Sequence, residues 1–386
     1  MEKVLILGGS HRDIPLINAA KELGLFVITL ANRNDYIGHS YADKFYKIDF
    51  NNFKEIKNII NKEKIKHLIP GCGEASYINT VILSHELKIG NFDLIETAKL
   101  LHNKWKFKKF CLENEVCTPK GFLYDSKTSL SNINFPVVIK PTQLSGGNGV
   151  SIVNTQDELL EQLKITQKVS NEIFIEEHIE GKLIAYSVFL KDQKIIYSFS
   201  GKDDSGVNPY LITTAYPILL DKDIEQKICT DIETIAKKLN LVDGMFHLQI
   251  IIKGQLPYII DVTRRIPGDL YPWLMEYCDG VKYSKAVVKA YLDKEINNEF
   301  SNKKKNQDFV VRYVVMPNQN GIFKNITIDS TLQEKVIYKL DLVEQNTPID
   351  NYLTTQLAIV FIQLNDYDRV IIENLSDFVY IAMEIV

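Results

Sequence analysis

Three stretches of this chain set charged side chains at the ends of apolar runs, where a fold can aim them into a cleft. In FPVVIKPTQLSGGNGV, residues 135–150, Lys140 closes an apolar run and a glycine cluster follows. A lysine beside exposed backbone N–H groups at Gly146, Gly147 and Gly149 suits phosphate oxygens. The order excludes the GxxxxGK[ST] loop, whose lysine follows its glycines and opens a helix. Here Gly149 leads into Val150, Ile152 and Val153. The stretch therefore reads as strand, glycine-rich turn, strand, with Asn148-Gly149 supplying the positive φ of a tight hairpin.

A second lysine, Lys104, opens the helical run NKWKFKKFCLENEVCTP. Lysines from two elements could converge on two phosphates, yet Lys104 is one of four lysines in KWKFKK, which suits a solvated helix face equally well. In FIEEHIEG, residues 174–181, a carboxylate or main-chain carbonyl could accept from an adenine amine while a main-chain N–H donates to the ring. The alternative is a charged strand end before a turn at Gly181. The third stretch is the pair FHLQIII and PYIIDVTRRIPGD, which places Gln249 and Asp261 on paired strands with Thr263, Arg264 and Arg265 just beyond. One carboxylate with neutral oxygen donors suits Mg²⁺ completed by phosphates and water. Arginines beside it could offset charge on a transferring phosphoryl group. A lone aspartate at a strand end is usually a turn residue; one inside a strand pair with two arginines is less easily read that way. His11, His102, His178 and His247 share no metal-ligand spacing, and no HExxH or GxSxG run occurs.

The elements that must position these groups follow from periodicity. Residues 1–92 alternate strand and helix: a strand at 4–7 ending in Gly8-Gly9, a helix capped by Asp13, strands in LFVITLA, ADKFYKID and HLIPGCGE, and an amphipathic helix with Phe53, Ile56, Ile59 and Ile60 on one side. That alternation predicts a parallel, Rossmann-like sheet. Residues 94–116 read as helices, and 136–140, 150–153, 173–177, 184–190 and 194–199 as antiparallel strands. Helices are expected near 222–239 and 281–293. GKDDSGVNPYLITTAYP, 201–217, is polar and turn-rich, reading either as a specificity element or as an ordinary surface loop. SNKKKNQD, 301–308, is the best linker candidate. Three further strands, in VVRYVVM, VIYKLDLV and LAIVFIQL, predict a small β-rich terminal domain ending in a short helix.

The net charge of −4 gives no electrostatic footprint for nucleic acid or anionic membrane. Five cysteines without a CxxC pair argue against a disulfide framework or a structural zinc, and fit a reducing cytoplasm. The first residues lack a secretory h-region and cleavage site, and no apolar run reaches the roughly 18 residues a membrane helix needs.

Taken in order, these pieces resemble the ATP-grasp superfamily over roughly residues 1–300. The resemblance implies mixed α/β and α+β architecture: a Rossmann-like domain at 1–93, an ATP-grasp domain at 94–300 with a lid lobe at about 120–180 and a metal-binding lobe at about 181–300, and a β-rich domain at 301–386 that covers the cleft or forms a homodimer. It implies ATP and Mg²⁺ as cofactors. Lys104 and Lys140 match the phosphate lysines, Ser145, Gly146, Gly147 and Gly149 the mobile lid, and Glu176 with the main chain of Glu177 and Ile179 the adenine contacts. Asp261 matches the metal carboxylate, Gln249 and Thr263 its partners, and Arg265 the arginine near the transferred phosphate. Thr263 replaces the usual asparagine, and Ala185 stands where a ribose-binding glutamate is often found. GGSHRDIPLI and DVTRRIPGDLYPW are similar to carbamoyl-phosphate-synthetase-like ligases, which couple a carboxylate to an amine through an acylphosphate, in surface-polysaccharide or amino-acid metabolism among others. On that likeness Gly9, Ser10, His11, Arg12, Lys202 and Arg264 are candidate substrate residues. A bicarbonate-dependent carboxylase, a carboxylate kinase and a non-catalytic nucleotide-binding protein are the alternatives.

Overall fold

The computed structural model describes residues 1–386 except 126, 128–129, 143–148, 306, 365–368 and 386. These residues form two compact units. One comprises 1–92, 201–218 and 265–386, the other 93–200 and 219–264.

The first unit begins with the expected parallel sheet. Lys3–Leu7 pairs with Phe26–Ala31 on one side and His67–Pro70 on the other, and Lys44–Lys47 adds to the outer edge. Its central strands bury Leu5, Ile6, Ile28 and Leu68 completely. This fits a sheet that must be covered on both faces. The amphipathic helix Phe53–Glu63 closes one side, with Ile56, Ile59 and Ile60 packed against Leu5, Ile28 and Leu68.

Residues 201–217 are not a surface loop. Gly201 to Ser205 ends the strand Lys194–Ser205 and pairs antiparallel with Ile212–Pro217, leaving 206–211 as the connection. Ile212–Pro217 then pairs with Val310–Val315, which pairs with Ala358–Gln363 and, through it, with Val336–Asp341. The expected short helix, Arg369–Glu373, is followed by a further strand, Val379–Glu384, which pairs with Gly321–Ile328. A further helix, Tyr271–Asp279, carries Pro272 in its first turn behind a left-handed Leu270. The expected linker 301–308 is tied to that helix, since Lys304 and Asp308 donate N–H groups to the carbonyls of Asp279 and Cys278.

In the second unit, one antiparallel sheet runs Gly121–Tyr124, Ile173–Glu177, Val137–Pro141, Ser151–Val153. The two strands expected on either side of the glycine cluster pair antiparallel, with Val137 opposite Val153 and Ile139 opposite Ser151. A second set of strands places Lys182–Lys191 beside Gly244–Lys253, and that strand beside Leu256–Thr263. Tyr186, Leu248 and Val262 lie in one row, and the Tyr186 hydroxyl donates to Glu225 (3.0 Å) on the helix Lys222–Lys238. Side chains alternate along a strand, so the neighbouring row of Ala185, Gln249 and Asp261 faces the other way.

Candidate active site

Asn103 caps the helix Lys104–Glu113 by accepting the Lys106 N–H at 2.9 Å, a contact worth about 1 kcal/mol. The Lys104 N–H donates to the Thr142 carbonyl (3.1 Å), which fixes this helix end at the exit of the Lys140 strand. From there the Lys104 ammonium lies 3.7 Å from Asp261 Oδ2. Asp261 sits opposite Gln249, just before a β-bulge between Gln249 and Ile250. A bulge sharpens local twist and re-aims the side chains beside it. Thr263 lies one step further along the same face, opposite His247, whose Nδ1 contacts the Ser187 hydroxyl at 2.7 Å.

Desolvation pushes the Asp261 carboxyl upward, but Lys104 and then Lys140 outweigh it and hold the group below the ordinary aspartate range. Asp261 is thus ionised at neutral pH, with its side chain 42% exposed. Among the described residues no three His, Cys, Asp or Glu side chains cluster as a metal cage. One carboxylate, the Gln249 amide and the Thr263 hydroxyl instead make a sparse oxygen set, which fits a magnesium ion that draws most of its ligands from phosphates and water.

Lys140 is two residues along its strand from Val138, which lies opposite Glu176. Lys140 and Glu176 therefore share a face, and their side chains form an ion pair. The other Glu176 oxygen is 3.0 Å from Lys108. The Glu176 carboxylate thus lies in a buried ion cluster, not on an open hinge. The Glu177 N–H and carboxylate are engaged with Lys120, at 2.9 and 2.8 Å, and the His178 N–H with the Pro136 carbonyl at 3.2 Å. Ile179 is buried beside them. Gly149 has φ +74°, and a Cβ there would come within 2.7 Å of Pro141 Cγ, so both backbone and space call for glycine. Ser145, Gly146 and Gly147 lie outside the described residues.

Arg264 does not face solvent: its side chain is 4% exposed. Buried, it donates through Nε and Nη2 to both oxygens of Asp93 (2.8 and 3.2 Å) and to the carbonyls of Met245 and Val242. The remaining candidates belong to the first unit. There Asp13 does not cap its helix; Oδ2 turns back to accept the N–H groups of Gly9 (2.8 Å) and Ser10 (2.9 Å), and Oδ1 that of Cys72 (2.7 Å). The N–H groups of Gly9 and Ser10, two of the candidate substrate residues, are thus already taken by this carboxylate. Gly9 is also explained by packing, since a Cβ there would overlap the buried His39 ring. His11 and Arg12 converge on Asp269, at 3.4 and 3.1 Å. Burial raises the Asp269 carboxyl, but Arg12 and His11 draw it well below the usual range. Arg265 Nη1 points at Cys72 Sγ (3.6 Å), and Lys202 pairs with Asp204.

Reasoning from sequence did not single out Lys108, Asp93 or Asp269. Lys108 carried one usable signal: it falls between Phe107 and Cys111 on the buried side of its helix.

Residues 133–271 match the family model described as "ATP-grasp domain". The chain is similar to the carbamoyl phosphate synthase large chain of Clostridium beijerinckii, 25% identical over 293 residues, covering 68% of this chain and 27% of that one. It thus spans about a quarter of the length of that curated relative. By structure it resembles an L-amino acid ligase from Bacillus licheniformis (TM-score 0.84, 18% identity, 100% of this chain and 99% of that one). It also resembles the biotin carboxylase domain of a Hydrogenobacter thermophilus 2-oxoglutarate carboxylase in complex with MgADP, ADP and bicarbonate (TM-score 0.77, 16% identity, 99% and 91%). At these identities the structural likeness is one of fold. With the lysines, the hairpin and the Asp261 row in place, the chain carries an ATP-grasp domain with homologues among carbamoyl phosphate synthase large chains.

Proposed function

We propose that this chain is an ATP- and Mg²⁺-dependent ligase that phosphorylates a substrate carboxylate and couples the resulting acylphosphate to an amine, with loss of phosphate. The observation that carries this reading is the meeting of Lys104 with Asp261, opposite Gln249, within the unit that also holds Lys140. Lys104 and Lys140 bind phosphate oxygens, while the Glu177 carbonyl and the Ile179 N–H hold adenine. Asp261, with Gln249 and Thr263, orients the metal, which draws charge from the phosphoryl oxygens when bound. A carboxylate is a poor electrophile, and both it and the γ-phosphate are anionic. The lysines offset that repulsion. The ADP complex of the carboxylase neighbour and the ligase neighbour's named activity support ATP use and C–N bond formation.

The test is Mg²⁺-dependent ADP release across a panel of carboxylates, with hydroxylamine as a trap. Hydroxamate from one carboxylate class, lost in Lys140→Ala and Asp261→Asn, is the expected result. ADP release that needs bicarbonate and yields no hydroxamate would overturn the reading in favour of a carboxylase.

A further inference from the structure

The helix Lys104–Glu113 sends a second lysine inward. Lys108 is 2% exposed, as is Glu176, and Lys140 is only 12% exposed. Glu176 bridges the two lysines, Oε1 to Lys140 and Oε2 to Lys108, so a single buried carboxylate serves two ammonium groups. Lys108 also donates to the Ile259 carbonyl at 3.4 Å, the acceptor that takes the Thr118 hydroxyl at 2.8 Å. This links the cluster to the strand that carries Asp261.

A buried lysine is costly unless paired. Desolvation holds the Lys108 ammonium below the ordinary lysine range, with Glu176 opposing the shift and Lys140 adding to it. Burial likewise raises Glu176, but Lys140 and Lys108 together hold it below the ordinary glutamate range. With Lys108 protonated against Glu176, as their 3.0 Å approach suits, one carboxylate stands between two ammonium groups. Without Lys108, the Glu176 carboxylate would neutralise Lys140 alone, and the pair would offer a nucleotide no net charge.

We propose that Lys108 is a positioning residue for Lys140: by occupying one oxygen of Glu176, it leaves Lys140 with an uncompensated positive charge for a phosphate. This rests on the reading of Lys140 as a phosphate ligand. Glu176 on this account is a shared counterion, not an adenine ligand.

The test is calorimetric titration of the full chain with ATP, ADP and adenosine. Lys108→Met weakens ATP and ADP by about tenfold or more, the scale of a charge-assisted contact. Adenosine binding stays within about twofold, because no phosphate is present to sense the missing charge. Adding Glu176→Gln to Lys108→Met returns ATP affinity to within about threefold of wild type, since anion and cation are removed together. Equal weakening of ATP and adenosine, or no recovery in the double variant, would overturn the proposal. Should Lys108→Met fail to fold, Glu176→Gln alone decides: retained ATP affinity supports the shared counterion, and weakened affinity overturns it. Wild-type protein that binds neither ATP nor ADP would overturn the ligase reading itself, an outcome visible before any variant is made.

Discussion

Arg264 grips Asp93 with two nitrogens, one on each carboxylate oxygen, in a site where both side chains are almost wholly buried. The same guanidinium donates to the carbonyls of Met245 and Val242, and Asp93 also accepts the Val242 N–H at 3.0 Å. This fork fastens the loop before Gly244–Lys253 to the start of the unit. Asp93→Ala leaves a buried guanidinium without its counterion, and a loss of about 3–5 kcal/mol is expected. Arg264→Lys should be nearly as damaging, because an ammonium cannot reach the same four acceptors. Chemical denaturation of both variants checks this; two near-wild-type midpoints would sink it.

Asp261 should behave in the opposite way. It is half-exposed, and its folded-state partners are Lys104 and the Val262 N–H at 3.0 Å. Asp261→Asn is expected to keep the unfolding temperature within a few degrees and to lower kcat by about a hundredfold or more, the scale of losing a charge aligned with transferring phosphate. Lys104→Ala should instead raise the apparent KM for ATP. Circular dichroism beside steady-state kinetics separates the two effects.

Asp13 stitches the turn after the first strand by accepting three N–H groups and the Ser10 hydroxyl. Asp13→Ala strands these buried donors, and a loss of about 2–4 kcal/mol follows from leaving several unsatisfied. Hydrogen exchange should show Gly9, Ser10 and Cys72 losing protection before the rest of the sheet. Uniform protection loss would argue for global destabilisation instead.

Two carboxyls in the first unit set an expected pH dependence. Burial pushes Asp203 up to about 7 against the pull of Arg312, and Glu276 up to about 7 against the Ser284 N–H. A carboxyl whose folded pKa is raised binds its proton more tightly when folded. Its contribution is therefore complete below the unfolded pKa near 4 and is lost as pH rises through 7. Wild-type unfolding temperature should fall between about pH 5 and about pH 8 more steeply than that of Asp203→Asn. Parallel profiles would remove Asp203 from the account.

Much of the second unit was readable because its cues are local. Lys140 closes one apolar run and Gly149 opens a β-branched one, and the structure pairs the two as strands. Gln249 and Asp261 fall opposite each other because Lys253-Gly254 makes a short connection between two apolar runs. What escaped depends on distant partners. Lys108 looks like its exposed neighbours Lys106 and Lys109 until Glu176, far along the chain, buries it. Residues 201–217 carry glycine, asparagine and proline and read as loop, yet pairing with Val310–Val315 makes Ile212–Pro217 an internal strand. The Asp13 helix cap was a sound local inference that lost to three better donors nearby.

The chain passes between its two units four times, at 92/93, 200/201, 218/219 and 264/265. Neither unit is a continuous piece of sequence, and this limits how the protein can be cut. A fragment spanning 93–264 would keep Lys104, Lys140 and Asp261 yet carry Ile212–Pro217 without Val310–Val315, its partner strand. An unpaired apolar edge of that kind is a template for self-association. Dissection should therefore remove 201–218 and rejoin the chain with a short turn, or accept aggregates in place of an isolated nucleotide-binding piece.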